Sequence, residues 1–506
     1  MAQMLTERYR ERMHGVLSCY DRIVITGTLP GICYAAGMSS FLYAKGIRIF
    51  DYARFAEPLR ERIRQRAEQL AAEQGARIEY IAKTHMRKEE VVAKVLAARG
   101  DQPGLVHVIS AMEACESYRP WHDKASGQTY LKPDSGKCLH YYFYFIDEKL
   151  GLCYLRVPTW APFRLQFYCN GHNVLARALD QAGIAHTQRD NTFTDIADFA
   201  RAQALADQFS VKRLHQALER FAQRYCPIQA EFPTGYHWSL MQAEYATDLV
   251  FDSPGALGPL YQAISRGAIL AVKAEQVTRF LGRRLDARFA QELGSRFSTR
   301  IEGTCIKHHM GAAAIKMYDK FGLVLRIETT ANNVSFFKHH RTVEHRDGHR
   351  SFELAPLKKS IYSLPDLRQL LLAANQRYLA FVSELSDPSS GHTALKHLAQ
   401  PSVQNGRTYR GFNFFAALDE RILATIARGE FTISGLRRND LRKHLPDLSD
   451  SQLSRLLKRL RVHGLIKRLG HTYKHYLTAF GRRVITTGLK LKHLVIIPSL
   501  AQPACA

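Results

Sequence analysis

Residues 315–330 read IKMYDKFGLVLRIETT, and this stretch indicates what kind of backbone the chain builds. Polar and apolar side chains alternate through it, and side chains that alternate in this way lie on opposite faces of a β-strand. Gly322 offers a permissive position for a turn between two such strands. The stretch therefore predicts a β-hairpin with one polar face. The polar positions are Lys316, Tyr318, Lys320, Arg326 and Glu328.

Apolar strands and amphipathic helices precede and follow this hairpin. Short β-branched runs at 21–29 and 104–112 are typical of buried strands, and 137–147 with 151–168 predicts another hairpin. Spacings of three and four residues between apolar side chains predict helices elsewhere. The predicted helices are 58–75, 172–183, 234–251 and 365–385.

Strands that alternate with helices predict an α/β (α+β) multidomain protein. A stretch rich in Pro, Gly, Ser and Asn after residue 386 is typical of a linker. The predicted parts are an N-terminal α/β domain over 1–205, a middle α+β domain over 206–386, a linker over 387–415, a helix-turn-helix domain over 416–493 and a tail over 494–506.

The segment after the predicted linker has a compact helical pattern. Helices are predicted over 417–429, 431–445 and 446–465, and Ser449 with Gln452 forms a capping box at the start of the third. Two short strands and a last basic helix follow. An apolar stripe at helical spacing in the third helix should place cations on the opposite side. The stripe consists of Leu453, Leu456, Leu457 and Leu460.

This order of three helices and a β-hairpin resembles the winged helix-turn-helix of MarR-type bacterial regulators, over about 75 of the 506 residues. Between 419 and 493 there are seventeen Lys or Arg and six Asp or Glu, with no acid after Asp450. Phosphates are a suitable ligand for such a segment, although some winged helices serve protein contacts instead. The predicted nucleic-acid contacts here are Arg455, Lys458, Arg459, Lys467, Arg468 and Lys474.

The charge of the whole chain favours the same class of partner. Lys and Arg number 71 against 46 Asp and Glu, which gives a formal net charge of +25. Such a surplus favours nucleic acid, because a polyanion neutralises it. The nine cysteines form no CxxC pair, and no 18-residue apolar run is present. We therefore expect a cytoplasmic protein with reduced thiols and no membrane partner.

The hairpin at 315–330 has a chemical interpretation besides a structural one. A tyrosine flanked by lysines can attack a phosphodiester, since the cations lower the cost of the phenolate and hold the phosphate. A carboxylate such as Glu328 can bind the divalent ion that such chemistry needs. Two alternatives stay open: an ordinary amphipathic hairpin, and a noncatalytic platform in which Lys316 and Lys320 grip phosphates while Tyr318 stacks on a base.

The same stretch resembles part of the rolling-circle replication initiators of staphylococcal-type plasmids and some filamentous phages. In that family a basic strand carries the joining tyrosine in a Tyr-Asp/Asn-Lys setting, and an Arg-x-Glu strand follows. The resemblance implies a metal-dependent tyrosine endonuclease or strand transferase with Tyr318 and Glu328 as catalytic residues, and Mg²⁺ as cofactor only in that case. The adjacent His308 and His309 differ from the His-apolar-His pair of related nickases. The matching residues are Lys316, Tyr318, Asp319, Lys320, Arg326 and Glu328.

Further acidic residues are potential cation ligands, but their spacing does not show that they meet. They are Asp21, Glu113, Asp147, Glu244, Asp248 and Glu328. Cys138 with His140, and Cys115 with His122, lack a second ligand pair at zinc-finger spacing, so no metal site is assigned.

The whole chain also resembles a family of bacterial proteins of about this size, which implies no activity. The sequence thus predicts a bacterial protein that binds nucleic acid, with DNA favoured, and that serves a mobile element or a regulatory system. A tyrosine nickase and a structured-RNA-binding protein are the alternatives, and a homodimer is compatible with either.

Overall fold

A computed structural model describes residues 4–75, 77–82, 86–283, 297–385, 396–470, 472–497 and 500. The chain divides into two compact units, Gln3–Ser386 and Asp387–Ala506. The predicted boundary at residue 205 does not separate two bodies. The strand at 237–251 pairs along its whole length with the strand at 13–28, so the segments 1–205 and 206–386 build one sheet.

The larger unit is a mixed α and β structure built on one wide sheet. Its strand order is β10-β11-β12-β13-β9-β1-β6-β5-β4-β3-β2, and neighbours are antiparallel except for the parallel pair β2 and β3. The strands of this sheet are β1 (Met13–Thr28), β2 (Glu79–Tyr80), β3 (Gly104–His122), β4 (Thr129–Asp147), β5 (Gly151–Pro158), β6 (Leu165–Asn170), β9 (His237–Phe251), β10 (Phe297–Glu302), β11 (Cys305–Met310), β12 (Ala313–Lys320) and β13 (Val324–Ala331). Two separate hairpins are β7 (His186–Arg189) with β8 (Thr192–Ile196), and β14 (Lys338–Glu344) with β15 (Arg350–Pro356).

Helices cover both faces of this sheet. One face forms the main core with α2, α3, α7, α8 and α10, through residues such as Met38, Ile63 and Leu371. On the other face Leu17 and Cys19 of β1 pack against a smaller cluster from α5, α6 and the β7–β8 hairpin. The helices are α1 (Leu5–Arg8), α2 (Ala35–Ala44), α3 (Tyr52–Glu73), α4 (Lys88–Arg99), α5 (Gly171–Gln181), α6 (Phe199–Asp207), α7 (Val211–Tyr225), α8 (Pro254–Ala271), α9 (Ala274–Phe280) and α10 (Leu364–Leu385).

The hairpin predicted at 315–330 is confirmed as β12 and β13, with Tyr318 opposite Arg326 and Lys316 opposite Glu328. The turn places Phe321 and Gly322 at φ values of 58° and 71°, the left-handed region that glycine tolerates best. The predicted helix at 234–251 is wrong, because that segment is the central strand β9. Neighbouring strands and helices bury nearly every residue of β9 after Ala243, so its sequence lacks simple alternation.

The smaller unit is built from short helices and two short hairpins over its described residues. The helices predicted at 417–429 and 446–465 are present as Ala417–Ile426 and Asp450–Val462, whereas the one predicted at 431–445 is divided into Gly429–Ser434 and Arg438–His444. The hairpin β18–β19 follows them. The elements are β16 (Ser402–Gln404), β17 (Arg407–Tyr409), α11 (Ala417–Ile426), α12 (Gly429–Ser434), α13 (Arg438–His444), α14 (Asp450–Val462), β18 (Ile466–Arg468), β19 (His475–Leu477) and α15 (Ala479–Leu491).

The predicted linker at 387–415 differs from the structure over its described part. Leu398 and Phe412 are buried in the same apolar core as the leucine stripe of α14. Residues 396–415 therefore belong to the packed body of the smaller unit, because two apolar side chains anchor a stretch that is otherwise polar. No helix in the described parts of the chain is long and apolar enough to cross a membrane.

His308 on β11 gives a pH-dependent prediction for the larger unit. Its ring is fully buried, with Nδ1 2.9 Å from Thr299 Oγ1 and Nε2 3.2 Å from Tyr378 Oη. Burial lowers the pKa of His308 to about 4, whereas an unfolded histidine titrates near pH 6.5. The unfolded chain therefore binds the proton of His308 more tightly than the folded chain does. The contribution of His308 to the stability of the folded protein is complete above about pH 6.5 and is lost as the pH falls towards 4.

Replacing His308 with glutamine should remove this pH dependence. Between pH 7 and pH 4 the wild-type free energy of unfolding should fall, relative to that of His308→Gln, by on the order of 3 kcal/mol. Urea denaturation at a series of pH values measures the difference. Parallel pH profiles for the two proteins would contradict the assignment.

Candidate functional site

The second strand of the predicted hairpin carries a buried polar face. Arg326, Glu328 and Thr330 point to one side of β13, while Leu325 and Ile327 point into the main core. All eight residues of β13 are buried, so these polar side chains lie inside the larger unit. Buried charges require partners, and the neighbouring strands supply them.

Strands β9 and β1 provide three carboxylates on the same face. Asp248 lies directly opposite Arg326, and Glu244 lies opposite Thr330. In β1 the pairing with β9 shifts between Tyr20 and Arg22, so Asp21 occupies a β-bulge. A bulge redirects a side chain and is frequent beside functional sites. Asp21 thereby joins Glu244 and Asp248 across the middle of the sheet.

Arg326 lies at the centre of this arrangement with no solvent exposure. Its guanidinium makes a two-point contact with Asp248, Nε to Oδ1 at 2.6 Å and Nη2 to Oδ2 at 2.7 Å. Nη1 donates to Asp21 Oδ1 at 3.3 Å. Planar two-point pairing of this kind is the strongest geometry available to arginine. Arg326 therefore fixes β13, β9 and β1 relative to one another.

Two further segments close over Arg326. Asn170 caps the start of α5, and His172 in the first turn accepts from Arg326 Nη2 through Nε2 at 2.9 Å. Since Nε2 accepts, Nδ1 carries the proton in this arrangement. The turn between β7 and β8 adds Asn191, whose carbonyl accepts from Arg326 at 2.6 Å, and Thr192, which donates to Asp248 Oδ2 at 2.8 Å.

Strand β12 places a cation and a hydroxyl beside Glu328. Lys316 Nζ lies 2.5 Å from Glu328 Oε1 and 3.2 Å from Glu244 Oε1. The Tyr318 hydroxyl donates to Glu328 Oε2 at 2.6 Å. We call the eight side chains gathered here the polar cluster. It consists of Asp21, His172, Glu244, Asp248, Lys316, Tyr318, Arg326 and Glu328.

Burial and like charges shift the acids and the phenol of the polar cluster. Burial raises the pKa of Glu328 to about 7, with Glu244 and Asp21 adding to the rise and Lys316 opposing it. Burial and the charge of Glu328 raise the pKa of Tyr318 well above its usual value. The nearby His172 and Arg326 hold the pKa of Asp21 and of Asp248 below their usual range despite burial. Glu328 is thus a carboxylate able to exchange a proton near neutral pH.

One set of oxygens in the polar cluster has the spacing of cation ligands. Asp21, Glu244 and Glu328 each offer one carboxylate oxygen within 4.8 Å of those of the other two. All three residues are buried. Carboxylate oxygens are the ligands that hard divalent cations prefer.

Four of the six acids named from the sequence converge here, and two do not. Glu113 pairs with Lys88 and Arg156 elsewhere on the sheet. Asp147 accepts backbone N–H groups in the turn after β4. Sequence analysis does not identify His172 or Asn191 as part of the site, because contacts with residues more than 130 positions away define both.

The predicted phosphate-gripping lysines of the hairpin have internal partners instead. Lys316 is enclosed by carboxylates, with 15% of its side chain exposed. Lys320 Nζ contacts the side-chain oxygen of Asn191, and burial together with Arg326 lowers its pKa. The platform interpretation of Lys316 and Lys320 therefore conflicts with these contacts, because ammonium groups already occupied by protein oxygens are poor phosphate ligands.

In the smaller unit, the exposed face of α14 differs from the predicted one at a single position. Arg455 is exposed and contacts only Ser451 of its own helix among the described residues. Arg459 instead pairs with the buried Asp419 at 2.9 and 3.1 Å and lies 3.7 Å from the centre of the Phe412 ring. Arg459 stabilises the fold of this unit, and its prediction as a nucleic-acid contact is wrong.

The other predicted contacts of the smaller unit lie at its surface. Lys458 is half-buried and Lys467 is exposed, and neither forms an ion pair with a described residue. Arg468 donates to the Thr472 carbonyl at 2.6 Å, beside the exposed ring of Tyr473. Lys474 is half-buried at the start of β19. Arg461, which the sequence did not single out, is also exposed on α14.

Comparison with known proteins assigns neither the fold nor the site. No protein-family model matches the chain, and no curated protein sequence matches it. A solved structure that aligns with part of the chain is the di-domain ARO/CYC BexL from the BE-7585A biosynthetic pathway, at 9% sequence identity and a TM-score of 0.12, covering 59% of this chain and 93% of that one. A TM-score of 0.12 supports no structural relationship.

Proposed function

We propose that the chain binds nucleic acid, with duplex DNA as the favoured ligand, and that its smaller unit acts as a winged helix-turn-helix. In this proposal α14 is the recognition helix and the β18–β19 hairpin is the wing. The observation that carries the proposal is a polar stripe along α14, opposite its buried leucines, in which Lys458 is half-buried and the other members are exposed. The stripe consists of Ser451, Ser454, Arg455, Lys458 and Arg461.

The geometry of a helix explains why this stripe is coherent. At about 100° per residue its five members fall within a sector of about 120°. Arg459 lies about 40° beyond Arg455, towards Leu456, and therefore faces the packed segment 396–415 rather than solvent. Serine, lysine and arginine side chains on one face are the types that contact phosphates and base edges in the major groove.

The acids of the smaller unit leave this stripe unneutralised. Between 419 and 493 there are six acids, and five of them, all but Asp440, form ion pairs with cations outside the stripe. Asp440 instead accepts the backbone N–H of Arg437. Phosphates can therefore supply the counter-charge of Arg455, Lys458 and Arg461 without competing with any of these six carboxylates.

The shape of the proposed ligand site favours DNA over double-stranded RNA. The major groove of B-form DNA is about 12 Å wide and admits an α-helix. The major groove of A-form RNA is deep and narrow and excludes one. A helix that presents its cations along one polar stripe therefore fits the DNA duplex, and duplex RNA serves as the comparison ligand in the test.

Replacing Arg455 with alanine should weaken duplex binding by about 10- to 100-fold, the range for an arginine that contacts a base edge. Arg428 is the matched control, because it is half-exposed on the same unit and paired with Glu430. Arg428→Ala should change affinity by no more than about twofold. Fluorescence anisotropy of labelled duplex DNA and duplex RNA measures both. Equal affinities of wild type and Arg455→Ala would exclude α14 as the contact.

The contact between Tyr318 and Glu328 favours a second candidate function, cleavage and joining of a nucleic-acid strand. The 2.6 Å hydrogen bond directs the phenol proton at a carboxylate whose pKa lies about 7. Because the pKa of Tyr318 is raised, its proton must leave as the new bond forms rather than beforehand, which is the task of a general base.

The step can be written with Glu328 in that role. Tyr318 Oη attacks the phosphorus, its proton passes to Glu328 Oε2, and a tyrosyl–phosphate bond replaces the phosphorus–oxygen bond to the sugar. The departing sugar oxygen takes a proton from water. Lys316 remains beside Glu328 Oε1 and balances the negative charge of the Glu328 carboxylate before the proton is transferred. Covalent attachment of a labelled strand to Tyr318 is the test of this candidate.

A further inference from the structure

The buried carboxylates of the polar cluster point to a cation site. We propose that Asp21, Glu244 and Glu328 bind a divalent cation, with Ca²⁺ favoured, and that this ion replaces the ammonium group of Lys316 between Glu244 and Glu328. One oxygen from each carboxylate already lies within 4.8 Å of the other two. The inference concerns binding alone and stands or falls independently of DNA binding and of tyrosine chemistry.

The hydrogen bonds of the three carboxylates leave ligand oxygens available. Every contact of Asp21 with a described residue falls on Oδ1, which leaves Oδ2 without a donor in the described chain. Glu244 likewise accepts only at Oε1, from Lys316 and Thr330. Among the described residues Glu328 Oε1 contacts Lys316 alone, so this oxygen becomes available when the ammonium leaves. Each carboxylate can therefore supply one oxygen without losing another partner.

A second observation, independent of the acids, concerns His172. This side chain has no solvent exposure, and its Nδ1 lies 3.0 Å from Asp21 Oδ1 without making a hydrogen bond. A fully buried polar atom without a partner is rare and requires explanation. A small rotation of Asp21 towards a bound cation would bring Oδ1 into line with this donor. Carboxylates that bind a metal commonly accept hydrogen bonds from donors that do not themselves contact the metal.

The balance of charge in the polar cluster favours an added cation. Asp21, Glu244, Asp248 and Glu328 are four carboxylates, and among the described residues only Arg326 and Lys316 form ion pairs with them apart from His172. Replacing the single charge of Lys316 with a divalent ion would reduce the negative excess, which is costly in a buried site.

The composition of the site indicates which ion it favours. Mg²⁺ demands a near-ideal octahedron and usually keeps several of its waters, whereas Ca²⁺ accepts irregular sets of carboxylate oxygens. Asp21, Glu244 and Glu328 are all buried and lie on strands of one sheet, so an ion bound between them must give up water and accept the geometry that the strands impose. We expect Ca²⁺ to bind more tightly than Mg²⁺.

Terbium luminescence tests the site directly in the full chain. Tb³⁺ replaces Ca²⁺ at oxygen sites and emits when a nearby phenol is excited, and the Tyr318 hydroxyl lies 2.6 Å from Glu328 Oε2. Titration with Tb³⁺ should give saturable emission that Ca²⁺ displaces and Mg²⁺ displaces less well. Tyr318→Phe should lower the emission, because it removes the phenol that transfers energy to the ion.

Charge-neutral variants of the three ligand residues distinguish binding at this buried site from cation binding at the protein surface. Glu244→Gln and Asp21→Asn should each weaken Ca²⁺ binding at least about tenfold. Glu113→Gln is the matched control, because Glu113 also contacts a lysine, Lys88 at 2.9 Å, and a tyrosine, Tyr142 at 2.7 Å, but has no second carboxylate beside it. Its Ca²⁺ affinity should equal that of wild type.

Removal of the competing ammonium gives the opposite effect. Lys316→Met should bind Ca²⁺ at least about tenfold more tightly, and Ca²⁺ should raise its melting temperature more than it raises that of wild type. This gain does not depend on whether the ligand variants fold. Ca²⁺ affinities that are equal in wild type, Glu244→Gln and Lys316→Met, or no saturable Tb³⁺ emission in any of them, would overturn the proposal.

Discussion

Replacing Tyr318 with phenylalanine is expected to abolish covalent attachment of the protein to a cut DNA strand. The variant keeps the aromatic ring at position 318 of β12 and removes only the hydroxyl that donates to Glu328 Oε2 at 2.6 Å. No other described phenol contacts Glu328. Single-stranded and supercoiled DNA, labelled at either end and incubated with Mg²⁺, Mn²⁺ or Ca²⁺, should give a protein–DNA adduct on denaturing gels with wild type alone.

Two companion variants define what the tyrosine does. Glu328→Gln removes the proton acceptor and should slow adduct formation by about 10²- to 10⁴-fold. Tyr142→Phe removes an equivalent hydroxyl, which donates to Glu113 at 2.7 Å elsewhere on the sheet, and should leave the adduct unchanged. Nicking that persists undiminished in Tyr318→Phe, or an absence of adduct from wild type, would exclude the strand-joining function.

Replacing Arg326 with methionine should produce the largest loss of stability in the larger unit. Arg326 has no solvent exposure and contacts both Asp248 and Asp21. Removing one partner of a buried ion pair leaves the other charge uncompensated, and such changes cost about 3–5 kcal/mol. Urea denaturation followed by circular dichroism measures the free energy of unfolding.

Arg368 provides the surface control for this experiment. It pairs with Asp207 in a contact whose acid is 45% exposed, and exposed pairs contribute about 0–1 kcal/mol. Arg368→Met should therefore cost no more than about 1 kcal/mol. In the double variant Arg326→Met with Asp248→Asn, part of the loss should be recovered, because the uncompensated charge is removed as well. Equal losses in Arg326→Met and Arg368→Met would contradict the central role of Arg326.

The hairpin at 315–330 shows how much of the polar cluster can be predicted from local sequence. Alternation and a glycine turn place Tyr318, Arg326 and Glu328 on one face, and the structure has them there. Which strand lies beside that face depends on contacts far along the chain. Asp21 and Asp248 reach Arg326 from positions 305 and 78 residues away, and no periodicity within the hairpin encodes that pairing.

The segment 237–251 shows where periodicity misleads. Trp238, Met241, Tyr245 and Leu249 have helical spacing, yet they lie on a strand that contributes to the main core and is buried on both faces from Ala243 onward, while Met241 is exposed. A strand buried on both faces tolerates apolar residues at every position, so its pattern matches a helix as well as a strand. With that segment taken for a helix, Glu244 and Asp248 could not be placed on the sheet.

The smaller unit shows the limit of a helical-face argument. The leucine stripe correctly gave the buried side of α14. Arg459 lies at the border of that side, and its environment is set by Arg410, Gly411 and Asp419. The first two belong to the stretch that composition assigned to a linker, so the sequence could not reveal that the guanidinium is covered.

The dependence of DNA affinity on salt tests the nucleic-acid proposal most directly. If Arg455, Lys458, Arg461, Lys467 and Lys474 neutralise phosphates, the logarithm of the association constant of the full chain should fall linearly with the logarithm of salt concentration, with a slope of about −4.5. Replacing Arg455 and Lys458 together with alanine should reduce the magnitude of that slope by about 2. Absent binding, or an affinity and slope unaffected by these two substitutions, would contradict the proposal.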